Sequence, residues 1–102
     1  MLDAARMIVQ MAAGASYEHY ANNRMMQLAV ERAIEIIGEA ARNVSDEFRK
    51  AHPEIPWRPI VAQRHVLAHD YGDIKPDRIW RVVTIHVPEL IRVLEPLVPP
   101  PS

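Results

Sequence analysis

The sequence has no cysteine, only three glycines, few aromatic residues (Trp 2, Tyr 3, Phe 1) and no surplus of either charge, and each shortage closes off a class of function. Without cysteine there are no disulfides and no thiolate metal sites, so a reducing cytoplasm is the expected compartment. Lys+Arg 12 against Asp+Glu 13 leaves a formal net charge of -1. No overall field therefore draws the chain onto RNA or an anionic membrane, and nucleic acid would have to be met by a local patch or by an assembly that gathers such patches. No apolar run is long enough to span a bilayer, and no signal-peptide pattern is present. The glycines form neither a phosphate-binding Walker loop nor a dinucleotide turn, and no serine stands beside a base, which removes most enzyme classes.

What remains is 102 residues, 49% of them hydrophobic, enough for one domain with a core. We expect that domain over residues 1–98, followed by a proline-rich tail at 99–102. Leu2 to Met11 reads as a helix, with Gly14 and Ser16 providing a stop and a fresh start. Tyr17 to about Asn43 reads as one long helix whose seam is Met26, Val30, Ala33, Ile37, Ala40 and Val44. Glu31, Arg32, Glu35 and Arg42 fall on its other faces. Gly38 costs helix propensity and is expected to let a neighbour approach closely. Glu39, amid small and apolar residues, is read as a carboxylate reaching water or a basic partner.

Ser45 opens a short helix, with Asp46 and Glu47 placed to meet its dipole. Pro53, Pro56 and Pro59 then punctuate a turn plugged by Ile55 and Trp57, and Pro59 suits the first turn of the next helix, which stops near Gly72. A last helix opens at Asp77 with Ile79, Trp80, Val83, Val87, Leu90, Ile91 and Leu94 inward. Pro88 should bend it and Pro96 should end it. A strand over Val82 to Val87 is the competing assignment, but the periodicity on either side favours helix. The expected class is all-α: an up-and-down bundle of four main helices plus a short one.

The chemistry concentrates in RHVLAHDY, residues 64 to 71. His65 and His69 share a helix face as metal-ligating pairs do, but a third ligand would have to come from Asp70, Asp73, His86 or Glu39, so no metal is expected. The same side chains suit metal-free cleavage of RNA. A base takes the 2′-hydroxyl proton, an acid protonates the leaving 5′-oxygen, and a cation stabilises the charge on phosphorus. Histidine titrates near working pH, and arginine matches phosphate oxygens with a planar fork. Arg64 and His69 are five apart and point roughly 140° away from each other on a straight helix. An unwound helix end or a second copy of the chain would be needed to aim both at one phosphate. On spacing alone a bland arrangement competes: Arg64 paired with Asp70 or Asp73, both histidines on the surface, and Tyr71 packed against Trp80.

Longer strings shift the balance. AVERAIEIIGEAARNVS, then PEIPWRPIVAQRHVLAHDYGDI, then IWRVVTIHVPEL, with Arg-x-x-x-x-His-x-Tyr inside the set, resemble the HepT-like branch of the HEPN superfamily, the toxin halves of HepT/MntA toxin–antitoxin pairs. The resemblance runs from about Met25 to Leu94. It implies a HEPN-like helical ribonuclease that needs no metal or other cofactor and works as a homodimer with its cleft at the subunit interface. Arg64 and His69 match the two catalytic positions, and His65 fills an auxiliary slot. Tyr71 matches the tyrosine to which a MntA-like nucleotidyltransferase antitoxin attaches AMP. One departure is a first helix that begins almost at Met1, shorter than the family's. The alternative function is a non-catalytic helical subunit that holds a nucleotidyltransferase partner, which the near-neutral charge favours.

Overall fold

A computed structural model describes residues 1–69 and 75–97, the side chains of 65–69 excepted. Every regular element among the described residues is helical, in keeping with the all-α expectation. In order they are α1 (Leu2–Ala12), α2 (Tyr17–Ala21), α3 (Arg24–Arg42), α4 (Asp46–Ala51), α5 (Trp57–His69), α6 (Pro76–Arg81), a π-helical turn (Val82–His86), α7 (Val87–Leu94) and a 3-10 turn (Glu95–Leu97). Gly72 and the tail at 99–102 lie outside the described residues.

Helix α3 is the axis of the bundle, with α1 and α5 packed along it. Helix α1 also packs on α7, and α2 crosses to α6. The core joins Ala5 and Ile8 of α1, Val30, Ile34 and Ile37 of α3, Ile55 from the proline turn, and Ile79, Val83, Val87 and Leu90 of the last helical run. Each isoleucine or valine buried to this extent contributes on the order of 2 kcal/mol through apolar surface removed from water.

The long helix expected over Tyr17 to Asn43 is broken into α2 and α3. Consecutive asparagines cause the break, because a short amide side chain competes for backbone groups at helix ends. The Asn23 Oδ1 accepts from the Met26 N–H at 3.0 Å, capping α3, while the Asn22 side-chain amide donates to the Glu18 carbonyl at 2.9 Å. The Gln27 amide donates to the carbonyls of Tyr20 and Ala21 at 2.9 and 3.0 Å, supplying donors that α2 lacks at its own end.

Glu31, off the apolar seam as expected, is nonetheless buried, four residues from Gln27 on the side that meets α2. Burial pushes its carboxyl above the usual carboxylate range, Arg24 pulls it back in part, and Glu35 adds to the rise. The Arg24 guanidinium stands 3.9 Å away. Glu39, by contrast, faces solvent as expected. Tyr20, buried over the Trp80 ring with centroids 5.2 Å apart, keeps its phenol neutral through burial and the neighbouring Glu31.

The last helical run absorbs Pro88 by widening. Proline has no N–H to return to the carbonyl of Thr84 and its ring crowds that carbonyl. The chain answers with a π-helical turn just before it, in which the Val87 N–H donates to the Val82 carbonyl. The Thr84 hydroxyl donates to the Trp80 carbonyl at 2.9 Å, taking up a backbone acceptor within the widened stretch. No strand forms over Val82 to Val87, and α7 gives way to the 3-10 turn at Glu95, one residue before Pro96.

Candidate functional site on the fifth helix

Helix α5 carries the candidate residues, and three local devices hold it. The Ser45 Oγ accepts from the Phe48 N–H at 3.2 Å, starting α4. The Arg49 guanidinium donates to the carbonyls of Ala41 and Arg42 at 2.7 and 2.8 Å, tying α4 to the C-terminal end of α3, where the helix dipole favours a cation. Ile55, 1% exposed, plugs the proline turn, and the Trp57 indole N–H donates to the His52 carbonyl at 3.1 Å. The direction in which α5 leaves the turn is thereby fixed.

Gly38 sets how close α5 comes to α3. A Cβ added there would lie 2.9 Å from Arg64 Cγ and 3.0 Å from the Ile60 carbonyl oxygen, and closer still to Arg64 Cβ. The missing methyl is thus the space that the root of the Arg64 side chain occupies. Arg64 is half-buried, and its guanidinium makes no hydrogen bond or ion pair with another described residue. A permanently charged group on a half-buried stem, with its root clamped, suits a phosphate.

The other candidates are less fully described. The backbone of α5 places positions 65 and 69 on one helix with Arg64, position 69 being five residues further along. The side chains of His65 and His69 lie outside the described residues, as do Tyr71 and the competing partners Asp70 and Asp73. Among the described residues no group of three or more acidic or histidine side chains converges as a metal cage would.

Two hollows were not foreseen. One, of about 300 Å³ and largely apolar, opens between α5, α3 and the last helical run, lined by Ile37, Ile60, Gln63, Val82, His86 and Leu90. Positions 60 and 63 lie on the side of α5 turned away from positions 65 and 69, so this cleft opens behind the face that carries those two positions. The other, of about 500 Å³, is an open recess at the α2–α3 junction with Glu18, His19 and Arg24 on its walls. Sequence reasoning also passed over Arg58, which is exposed, and treated Trp57 only as a plug. The available signal was the seven-residue step from Arg58 to His65, two turns along one helix face.

The whole described run matches one family model. Residues 1–97 fit the family described as Ribonuclease HepT-like. The chain is 35% identical over 95 residues to a Methanocaldococcus jannaschii protein named "Putative RNase", covering 93% of this chain and 87% of that one. It is 35% identical over 88 residues to the "Probable ribonuclease HepT" of Thermococcus cleftensis, covering 86% and 80%. A "Putative RNase" of Caldanaerobacter subterraneus subsp. tengcongensis is 32% identical over 90 residues, covering 88% and 80%. No solved structure matches the chain at a significant level.

Proposed function

The chain belongs to the HepT-like ribonuclease family, and from that premise we propose that it is a metal-independent RNA endonuclease, the toxin of a type II/VII-like toxin–antitoxin pair, with Arg64 and His69 as its catalytic residues. The observation that carries the reading is the chain-long family match combined with an arginine whose stem is clamped against Gly38 while its guanidinium stays unengaged by any described residue.

In the reaction, a His69 imidazole removes the proton from a ribose 2′-hydroxyl, whose oxygen attacks the adjacent phosphorus. The P–O5′ bond breaks and the departing 5′-oxygen takes a proton from an imidazolium. The products are a 2′,3′-cyclic phosphate and a 5′-hydroxyl, so protons balance without water or metal. Arg64 stabilises the extra negative charge of the phosphorane, a contribution of about 3 kcal/mol for one well-placed donor. His65 assists in proton transfer or phosphate binding. Because positions 64 and 69 diverge by roughly 140° on one helix, the cleft is assembled by a homodimer in which two copies face each other.

Regulation follows from Tyr71. A MntA-like nucleotidyltransferase antitoxin adds AMP to its hydroxyl, placing a bulky anion two residues from His69, where it repels the RNA phosphate. The compartment is the cytoplasm; among the described residues no helix is long and apolar enough to cross a membrane.

The deciding experiment incubates the purified protein with RNA in EDTA beside Arg64→Ala and His69→Ala variants. Cleavage by the parent alone is the expected result. Equal cleavage by all three, or loss of parent activity on chelation, overturns the site or its metal independence. A parent that never cleaves but binds a nucleotidyltransferase would leave the chain as a partner-holding subunit. Mass spectrometry after co-expression with the antitoxin should find adenylyl mass on the parent and none on Tyr71→Phe.

A further inference from the structure

The elbow between α4 and α5 carries a held aromatic cluster that the proposed reaction does not use. The rings of Phe48 and His52 have centroids 4.4 Å apart, and Phe48 meets Trp57 edge-on at 6.1 Å. Phe48 is wedged between two tethered rings. Trp57 is tied to the His52 carbonyl, and the Arg49 guanidinium sits 6.0 Å from the Trp57 ring while anchored to the end of α3. Yet Phe48 is still 37% exposed. An aromatic ring locked in place and open to solvent differs from a core residue, which would be covered, and from a loose surface side chain, which would be free to turn.

Charge adds a second observation. The His52 Nδ1 is already engaged by the Glu54 carboxylate at 3.3 Å. Arg58, the residue after Trp57, is exposed and makes no ion pair with a described residue. Positions 58, 65 and 69 recur at steps of seven and four, one face of α5, and span about 16 Å at 1.5 Å per residue. That face leads from the elbow to the proposed catalytic end of the helix.

We propose that the elbow is a subsite for an unpaired nucleotide of the RNA substrate: the Phe48–His52 surface stacks on its base and Arg58 takes its phosphate, guiding the strand along α5 toward position 69. This rests on the ribonuclease reading. Stacking requires a base free of pairing, so the subsite selects single-stranded RNA over duplex; every base has a π-face, so the contact is tolerant of sequence. A single cation suits a chain whose net charge is -1, since two copies in a dimer bring two such tracks to one cleft.

The test measures binding of a fluorescently labelled single-stranded oligoribonucleotide to the full chain carrying His69→Ala, by anisotropy at several salt concentrations. Adding Phe48→Leu, which keeps apolar volume but removes the ring, should weaken binding about 5- to 100-fold and leave the salt slope alone. Adding Arg58→Gln should weaken it and flatten the slope of log affinity against log salt by about 0.7, one phosphate contact fewer. Arg58 is exposed and makes no hydrogen bond or ion pair with a described residue, so that variant decides the matter even if Phe48→Leu unfolds. Unchanged affinity and slope in Arg58→Gln, or equal binding of a duplex, overturns the subsite. Cleavage of the same oligonucleotide by the parent is read separately: cutting with unaltered affinities would remove the subsite and keep the ribonuclease, whereas neither cutting nor binding would remove both.

Discussion

Gly38 of α3 and Arg64 of α5 share one space: where a methyl group on the first would stand, the stem of the second already sits, with the Ile60 carbonyl alongside. The helices approach through this contact, and the most chemically loaded side chain of α5 is positioned by a residue that has no side chain. In a buried helical position glycine costs about 1 kcal/mol relative to alanine, so its presence here is explained by packing.

A Gly38→Ala substitution should therefore lower stability where an isolated helix would gain. The clash is with the root of a side chain and with backbone, neither of which yields easily, so an overpacking cost of about 1–3 kcal/mol is expected. RNA cleavage should fall by more than the loss of folded protein accounts for, because Arg64 must move. Thermal unfolding beside cleavage rates at a temperature where the variant is fully folded checks this; unchanged cleavage would mean Arg64 is not at the reacting phosphate.

Arg64→Lys separates charge from shape. Lysine keeps the positive charge but loses the planar fork, so cleavage should drop by at least about tenfold, while Arg64→Ala drops it on the order of a hundredfold or more. Stability should barely change in the lysine variant, since the guanidinium has no described partner to lose. Initial rates of both variants, with circular dichroism to confirm folding, give the comparison. Equal rates for lysine and arginine would reduce the role to simple attraction.

Glu31 offers a pH-dependent test of the bundle itself. Its carboxyl is raised chiefly by burial, so the folded state holds that proton more tightly than the unfolded chain. Stability is then greater below the ordinary glutamate range and declines as pH rises through the folded value. Glu31→Gln removes this decline. At neutral pH the variant should be more stable than the parent, by about 1 kcal/mol for a buried polar group relieved of charge, and the gain should vanish below about pH 4. Melting curves across that range report it; a less stable variant at pH 7 would mean that the Arg24 pair outweighs desolvation.

These positions also mark what was legible in the sequence. Ser16 and Ser45 act as caps where local chemistry said they would, Gly38 lies at a close helix contact, and the inward residues of the last run are buried at Ile79, Val83, Val87, Leu90 and Leu94. All of these depend on neighbours within a turn or on helical periodicity. The break at Asn22 and Asn23 was missed because its stabilising partner, Gln27, reaches across to the carbonyls of another helix. The burial of Glu31 was not legible for a related reason: it depends on α2 folding back over α3, which no periodicity within α3 announces. The pairing proposed for positions 64 and 69 is harder still, since spacing alone turns them apart and an assembly of chains or an unwound helix end would be needed to reunite them.

That last geometry makes a prediction specific to a shared site. If each of the two sites in the cleft takes Arg64 from one copy and His69 from the other, a dimer of one Arg64→Ala chain and one His69→Ala chain contains one intact pair and one doubly emptied pair. Either variant alone has no intact pair. Mixing equal amounts under conditions that exchange subunits should therefore restore activity to about a quarter of the parent's, since random pairing makes half the dimers mixed and each mixed dimer has one working site of two. If both groups serve from the same chain, every site in the mixture lacks one of them and nothing is recovered. Sedimentation of the mixture would confirm that subunits had exchanged. Recovery near a quarter, against none, thus distinguishes catalysis across the interface from catalysis by a locally unwound α5, the other way of bringing two residues 140° apart onto one phosphate.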